Sequence, residues 1–273
     1  MATFFSGTSN IELIEKNKQA FPPEFRSKSR LAYYSSLFNS VEINSTFYRL
    51  PLPSTLEKWA AEVPDHFRFT LKLWREITHA RDLVFHPEHV EKFMSVADHI
   101  GDKKGALLIQ FPAGTKMEKA APFIHTGKSP IARLESLLAR VQVFNPSNSW
   151  RVAVEFREPG WYNEQVYSLL AAHQAALVWH DRPVIHDEGA HERGPFVYLR
   201  FHGPGGGKYT GSYGDDLLHE KACRIRAWLA RSKDVYVYFN NTMAGDAPRN
   251  LLTLNKMVEE KKSGNCIESG HIL

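Results

Sequence analysis

The sequence predicts an α/β protein, a single-domain (β/α)8 TIM barrel. Three observations predict it. Eight short apolar runs recur along the 273 residues, each rich in the Val, Ile, Phe and Tyr that favour strands. Segments with helical character separate them, the alternation expected of parallel β/α units. After the first run the chain reads GTSNIE, which lacks the Gly-rich fingerprint of an open dinucleotide-binding sheet.

The elements follow in order. Thr3–Thr8 is the first run, and the helix Arg30–Leu37 leads to the second, Ser40–Asn44. Helix Ser54–Glu62 then leads to the third run, Phe67–Leu73. Helix Pro87–Ile100 opens on proline, whose missing N–H costs nothing in a first turn. The fourth run is Ala106–Phe111, and its helix, Pro130–Arg140, places Ile131, Leu134, Leu137 and Leu138 on one face. Val152–Arg157 and helix Asn163–Ala172 come next, then the sixth run, Ala176–Asp181. Phe196–His202, helix Asp215–Ala230, Val235–Asn240 and helix Pro248–Lys261 complete the series. Asn163 and Asp215 suit helix N-caps. Ala113–Ser129 and Pro183–Gly194 interrupt the pattern as polar loops, and residues 261–273, which lack periodicity, read as a mobile tail to a domain spanning 1–260.

Composition narrows the function classes. With 43% hydrophobic and 23% charged residues, the chain has a globular composition and can bury a large core. A net charge of +4 admits an anionic ligand without demanding nucleic acid, since Lys and Arg are spread along the chain. Cys223 and Cys266 form no CxxC or Cys/His cluster, so neither a disulfide framework nor structural zinc is expected. No apolar stretch reaches the ~18 residues of a membrane span. The N-terminus MATFFSGTSN lacks the basic and apolar regions of a leader, so the cytoplasm is the expected compartment.

Period-two alternation then assigns sides within the barrel. The inward positions are Ser6 and Thr8; Ser40, Glu42 and Asn44; Arg68, Thr70 and Lys72; Leu108 and Gln110. They continue with Ala153, Glu155 and Arg157; Trp179 and Asp181; Tyr198, Arg200 and His202; Tyr236, Tyr238 and Asn240. Near the C-terminal end of every strand the inward residue is polar or charged, and that end carries the chemistry in this fold. A structural plug of ion pairs is the plain alternative, although burying charges for that purpose seldom improves on apolar packing.

The residues of VAVEFREPGW, FNSVEINSTFYRLP and VYLRFHG sit at these strand ends. Together with FRFTLK followed by ITH, LLIQFP and VYVYFNNTMAGDAPRN they resemble the YecE-like family, the domain of unknown function 72. The resemblance covers roughly Thr3–Val258 with its blocks in order, and implies a TIM barrel without an established reaction. One departure stands out: members often carry Gly-Trp after the first strand, where this chain has Asn10 and Ile11.

The ring points to a small-molecule ligand, anionic or carbohydrate-like, and to hydrolase, isomerase or lyase chemistry. Glu42 and Glu155 are the candidate acid–base carboxylates, with His202 and Lys72 as further catalytic candidates. If Glu155 does chemistry, Glu155→Gln should abolish turnover without unfolding the protein. Arg157 and Arg200 would hold an anion, helped by Lys208 in the glycine-rich loop His202–Gly214. Thr8, Asn44, Gln110, Asp181 and Asn240 would orient it. Carboxylates near Lys72 favour a salt bridge over a Schiff base. No cofactor is expected; a divalent metal, if bound, would use Glu42, Glu155, Asp181 and His202. Nucleic acid is the alternative partner, and a non-catalytic binding role the third reading. His79 lines the mouth or caps a helix. Tyr48 and Trp161 wall the ligand or simply pack, and His125, His186 and His191 are expected in solvent.

Overall fold

A computed structural model describes residues 2–117, 129–182, 189–204 and 209–260. Eight parallel strands run β1 (Phe4–Thr8), β2 (Ser40–Ile43), β3 (Arg68–Lys72), β4 (Lys104–Gln110), β5 (Arg151–Glu155), β6 (Ala176–His180), β7 (Val197–Phe201) and β8 (Val235–Phe239). Each neighbours the next in sequence, and β1 pairs with β8, Phe4 opposite Val235 and Thr8 opposite Phe239. A parallel bridge between Ser9 and Glu42 joins β1 to β2, so the sheet closes on itself as the alternation predicts. The seam is tight: a Cβ on Gly7 would lie 2.1 Å from the Ser40 carbonyl oxygen, an approach that only glycine permits.

Helices cover the outside: α1 (Arg30–Leu37), α2 (Ser45–Tyr48), α3 (Pro53–Ala61), α4 (Arg75–Thr78), α5 (Pro87–Ala97), α6 (Pro130–Val143), α7 (Glu164–Ala172), α8 (Asp215–Ala230) and α9 (Ala247–Glu259). The single turns α2 and α4, too short for a periodic signature, were not anticipated. Side-chain caps start several helices: Ser29, Ser129 and Asn163 accept the N–H of Ala32, Ala132 and Val166. Asp215 is not a cap; Gly214 takes that position and Asp215 and Asp216 sit in the first turn, where carboxylates oppose the helix dipole.

Inside the barrel, large and small side chains complement each other. Phe5 of β1, Phe196 just before β7, Tyr198 of β7, and Tyr236 and Tyr238 of β8 fill space left by Ala106, Ala153 and Ala176 on β4, β5 and β6. The Tyr238 hydroxyl spans the barrel to Ser40 Oγ (2.5 Å) and Thr70 Oγ1 (2.7 Å), so this buried phenol is hydrogen-bonded to two other strands. This inner cluster reverses two of the predicted strand phases. On β1 the inward residue is Phe5, and Thr8 turns outwards to the Tyr34 hydroxyl of α1 (3.1 Å). On β6 Ala176 and Val178 face in, with Trp179 outside against Phe201. Both strands are apolar or small at almost every position, so alternation carries no phase there. A further correction concerns His191, which is buried and packs edge-on against Trp228 rather than facing solvent. His125, His186, Lys208 and the 261–273 tail lie outside the described residues.

Candidate active site

The C-terminal mouth is built around one guanidinium. Arg200, last but one on β7, is buried between two carboxylates. Its Nε and Nη2 donate to Glu42 Oε2 and Oε1 (2.9 and 2.6 Å), and its Nη1 donates to Glu155 Oε2 (2.6 Å). The fork matches a carboxylate, and charge-assisted bonds of this kind are the strong ones. Glu42 also accepts from Ser9 Oγ (2.6 Å) and the Tyr198 hydroxyl (2.7 Å). Both its oxygens are therefore committed on the barrel floor.

Glu155 is shared differently. Its other oxygen accepts from Arg157 Nε, two residues on and on the same face. Burial opposes its charge, but Arg157 and Arg200 outweigh burial and hold the carboxyl well below its ordinary range. Arg200 shows the reciprocal effect: burial disfavours the cation, yet Glu155 and Glu42 keep it firmly protonated.

Arg157 also reaches His202 Nε2 (3.3 Å). A guanidinium only donates, so Nε2 accepts and Nδ1 carries the ring proton. The Asn240 amide, 3.1 Å from Nδ1, then presents its oxygen to the ring, the two amide ends being interchangeable by a half-turn. Burial, with Arg200 beside it, drives the His202 pKa well down, and the ring is neutral.

Lys72, at the end of β3, is partly exposed. Its Nζ donates to Gln110 Oε1 (2.8 Å) and lies 4.2 Å from the centre of the Phe47 ring. The Gln110 amide in turn donates to the Phe111 carbonyl (2.7 Å), which fixes its oxygen towards Lys72. Here the structure corrects the expected salt bridge. The carboxylates are occupied by arginines, and burial together with Arg200 lowers the Lys72 pKa to about 8. His79 both caps α4 and flanks this corner, its ring 4.7 Å from that of Phe47. Burial and the Lys72 charge bring its pKa down to about 4.

The remaining candidates divide. Asn44 follows β2, and its buried Oδ1 has no hydrogen-bond partner. Asp181 lies outside the mouth, because β6 is in the opposite phase. It accepts the His202 N–H (2.8 Å) and the Tyr213 hydroxyl, and so anchors the start of the glycine-rich loop. Burial raises its pKa. Thr8 belongs to the helix side. Trp161 is packing: it stacks on Phe156 at 4.8 Å and donates to the Thr115 carbonyl (2.7 Å). Tyr48 stands 67% exposed on the rim.

Sequence reasoning missed His180 and Ser9. His180 is buried and meets the Phe156 carbonyl (2.9 Å) and the Tyr162 hydroxyl (3.3 Å) beside Glu155. The odd-numbered phase chosen for β6 and the even-numbered phase chosen for β1 hid both. A step of two back from the mouth, from His180 to Val178 and Ala176, was the available signal.

The proposed metal ligands do not converge. Arg200 links Glu42 to Glu155, Asp181 faces the loop, and among the described residues no group of three or more His, Cys, Asp or Glu is placed to hold an ion. Residues 5–269 match a family model described as protein of unknown function DUF72. The UPF0759 protein YunF of Bacillus subtilis (strain 168) is 27% identical over 277 residues, covering 89% of this chain and 92% of its own. A DUF72 family protein of Enterococcus faecalis V583 has the same fold, with a TM-score of 0.75 at 20% identity over 94% of this chain and 95% of that one. The 3-keto-D-glucoside 4-epimerase YcjR of E. coli shares the barrel more distantly, with a TM-score of 0.53 at 11% identity over 94% of this chain and all of its own.

Proposed function

The chain belongs to the DUF72 family, described as being of unknown function, and from that premise we propose that its mouth binds a small anionic, carbohydrate-like substrate and acts on it by acid–base chemistry. One observation carries the reading. Glu42 and Glu155 are matched by Arg200 and Arg157, which leaves the half-buried Lys72 as one positive charge in excess at the mouth. Arg157 holds the anion, Gln110 fixes the direction of Lys72, and Asn240 orients the His202 ring that borders Arg157.

Proton transfer in this reading moves from Glu155 to Lys72. A carboxylate held ionised by two arginines is a poor proton carrier at neutral pH, and so is the deeply buried His202 imidazole held neutral, whereas an amine with a pKa near 8 is a good one. Isomerase and lyase reactions fit such an amine, and the reading involves no cofactor. The half-buried position of Lys72 favours a small ligand over a nucleic acid. Titration with DNA and RNA at several salt concentrations is expected to show no salt-dependent association.

Among the described residues no helix is long and apolar enough to cross a membrane, and the cytoplasm is the compartment proposed. Inorganic phosphate tests the site directly. Saturating phosphate should raise the melting temperature, a ligand at one hundred times its Kd being worth about 2.7 kcal/mol. Arg157→Ala should remove the shift. A shift of equal size in the variant would overturn the reading.

A further inference from the structure

The corner formed by Lys72, Gln110, Phe47 and His79 differs in kind from an anion clamp. A lysine that only binds an anion needs its charge, and a carboxylate neighbour usually keeps it. Lys72 instead rests on a neutral amide oxygen and an aromatic face, with Arg200 and Arg157 near. The two carboxylates within range are already hydrogen-bonded to those arginines. Gln110 is itself held by the Phe111 carbonyl, so the amine is fixed in direction. His79 packs on the same Phe47 ring.

We propose that Lys72 Nζ is an imine-forming nucleophile, and that the substrate class is a small aldehyde or ketone bearing a phosphate or carboxylate. The inference rests on the anion-binding reading for its choice of substrate. The neutral amine adds its lone pair to the carbonyl carbon; a C–N bond forms and the C=O π pair moves to oxygen. The oxygen takes up a proton and the nitrogen gives one up, leaving a carbinolamine. That hydroxyl then leaves as water after a second protonation while the nitrogen lone pair forms C=N. The sum is carbonyl plus amine giving imine plus water, with no other reactant. His79, neutral above about pH 4, adds no charge beside the amine, and these protons exchange with water. At pH 7 about a tenth of Lys72 is neutral, against about one part in three thousand for an ordinary lysine.

The experiment uses the full chain with dihydroxyacetone phosphate, glyceraldehyde 3-phosphate and pyruvate as probes, each trapped with borohydride and mapped by peptide mass. Lys72 should be labelled at least tenfold faster than any other lysine by one of the three, with a half-maximal rate near pH 8. Inorganic phosphate should suppress labelling by a phosphorylated probe. Lys72→Met, checked for folding by its melting curve, should lose the fast label. Uniform slow labelling with all three probes would overturn the imine; the anion-binding reading would survive if phosphate still stabilised the protein through Arg157. Fast labelling of Lys72 indifferent to phosphate and to Arg157→Ala would leave the imine standing and remove the anion reading.

Discussion

The floor and the flank of the mouth handle charge in opposite ways. On the floor, Arg200, Glu42 and Glu155 are fully buried and each ion meets its counter-ion at hydrogen-bond distance. On the flank, a few residues away on β3 and β4, Lys72 has only an amide and a ring. On the floor Glu155 is held ionised and Arg200 protonated; on the flank Lys72 is poised to change its state. The same barrel interior thus supplies both a rigid electrostatic base and a reactive edge, and the difference lies in which carboxylates the arginines have already claimed.

Breaking the floor should cost most. Arg200→Met leaves Glu42 without a counter-ion and Glu155 with Arg157 alone, and removing one side of a buried pair typically costs about 3–5 kcal/mol. Glu155→Gln should follow the same pattern, since it takes the counter-ion from Arg157 and one of two from Arg200, so loss of stability rather than of turnover alone is expected in denaturant unfolding. Unchanged midpoints in both variants would mean that the floor is dispensable.

The flank should respond in the opposite direction. The Lys72 pKa falls from 10.5 in the unfolded chain to about 8 in the fold, so protonation opposes folding. The penalty is full below pH 8, shrinks as pH rises, and is gone above about 10.5. A shift of that size corresponds to roughly 3 kcal/mol, less about 1 kcal/mol for the hydrogen bond to Gln110. Lys72→Met should therefore be more stable than the parent by about 2 kcal/mol at pH 7, and its advantage should shrink by pH 10. Paired melts at the two pH values check it; a destabilised variant would place Lys72 with the floor.

The smallest effect should lie between the two regions. Tyr198→Phe removes one donor from Glu42 while leaving Arg200 and Ser9 in place. About 1–2 kcal/mol is expected by urea unfolding, with no change in the phosphate-induced shift.

Much of this site was legible in the sequence, and the failures share a cause. Alternation located Glu42, Lys72, Gln110, Glu155, Arg157, Arg200, His202 and Asn240 at the mouth, because in their strands polar residues interrupt apolar ones every second position. β1 and β6 offer no such contrast, so Thr8 and Asp181 were turned inwards and Ser9 and His180 overlooked. What no single strand could reveal was the pairing. That Arg200 takes both carboxylates, and thereby denies them to Lys72, depends on distances between β2, β3, β5 and β7. The reversal of the expected Lys72 behaviour is a property of the closed ring. Asn10 shows the same limit on a smaller scale: its left-handed backbone, φ 62°, explains how asparagine stands where relatives often have glycine, but only the fold displays it.

The reach of Arg200 and Tyr238 also has a bearing on how the chain is made. Arg200 meets Glu42 across 158 residues of sequence, and Tyr238 meets Ser40 across 198. During synthesis the first six strands leave the ribosome before either partner exists. Until β7 arrives, Glu42 has no counter-ion and Glu155 has only Arg157, so a half-made barrel buries them at a cost. Such distant contacts favour slow folding. They also delay completion of the reactive edge until β7 and β8 have been made, so that these two strands act as a checkpoint on an intact barrel.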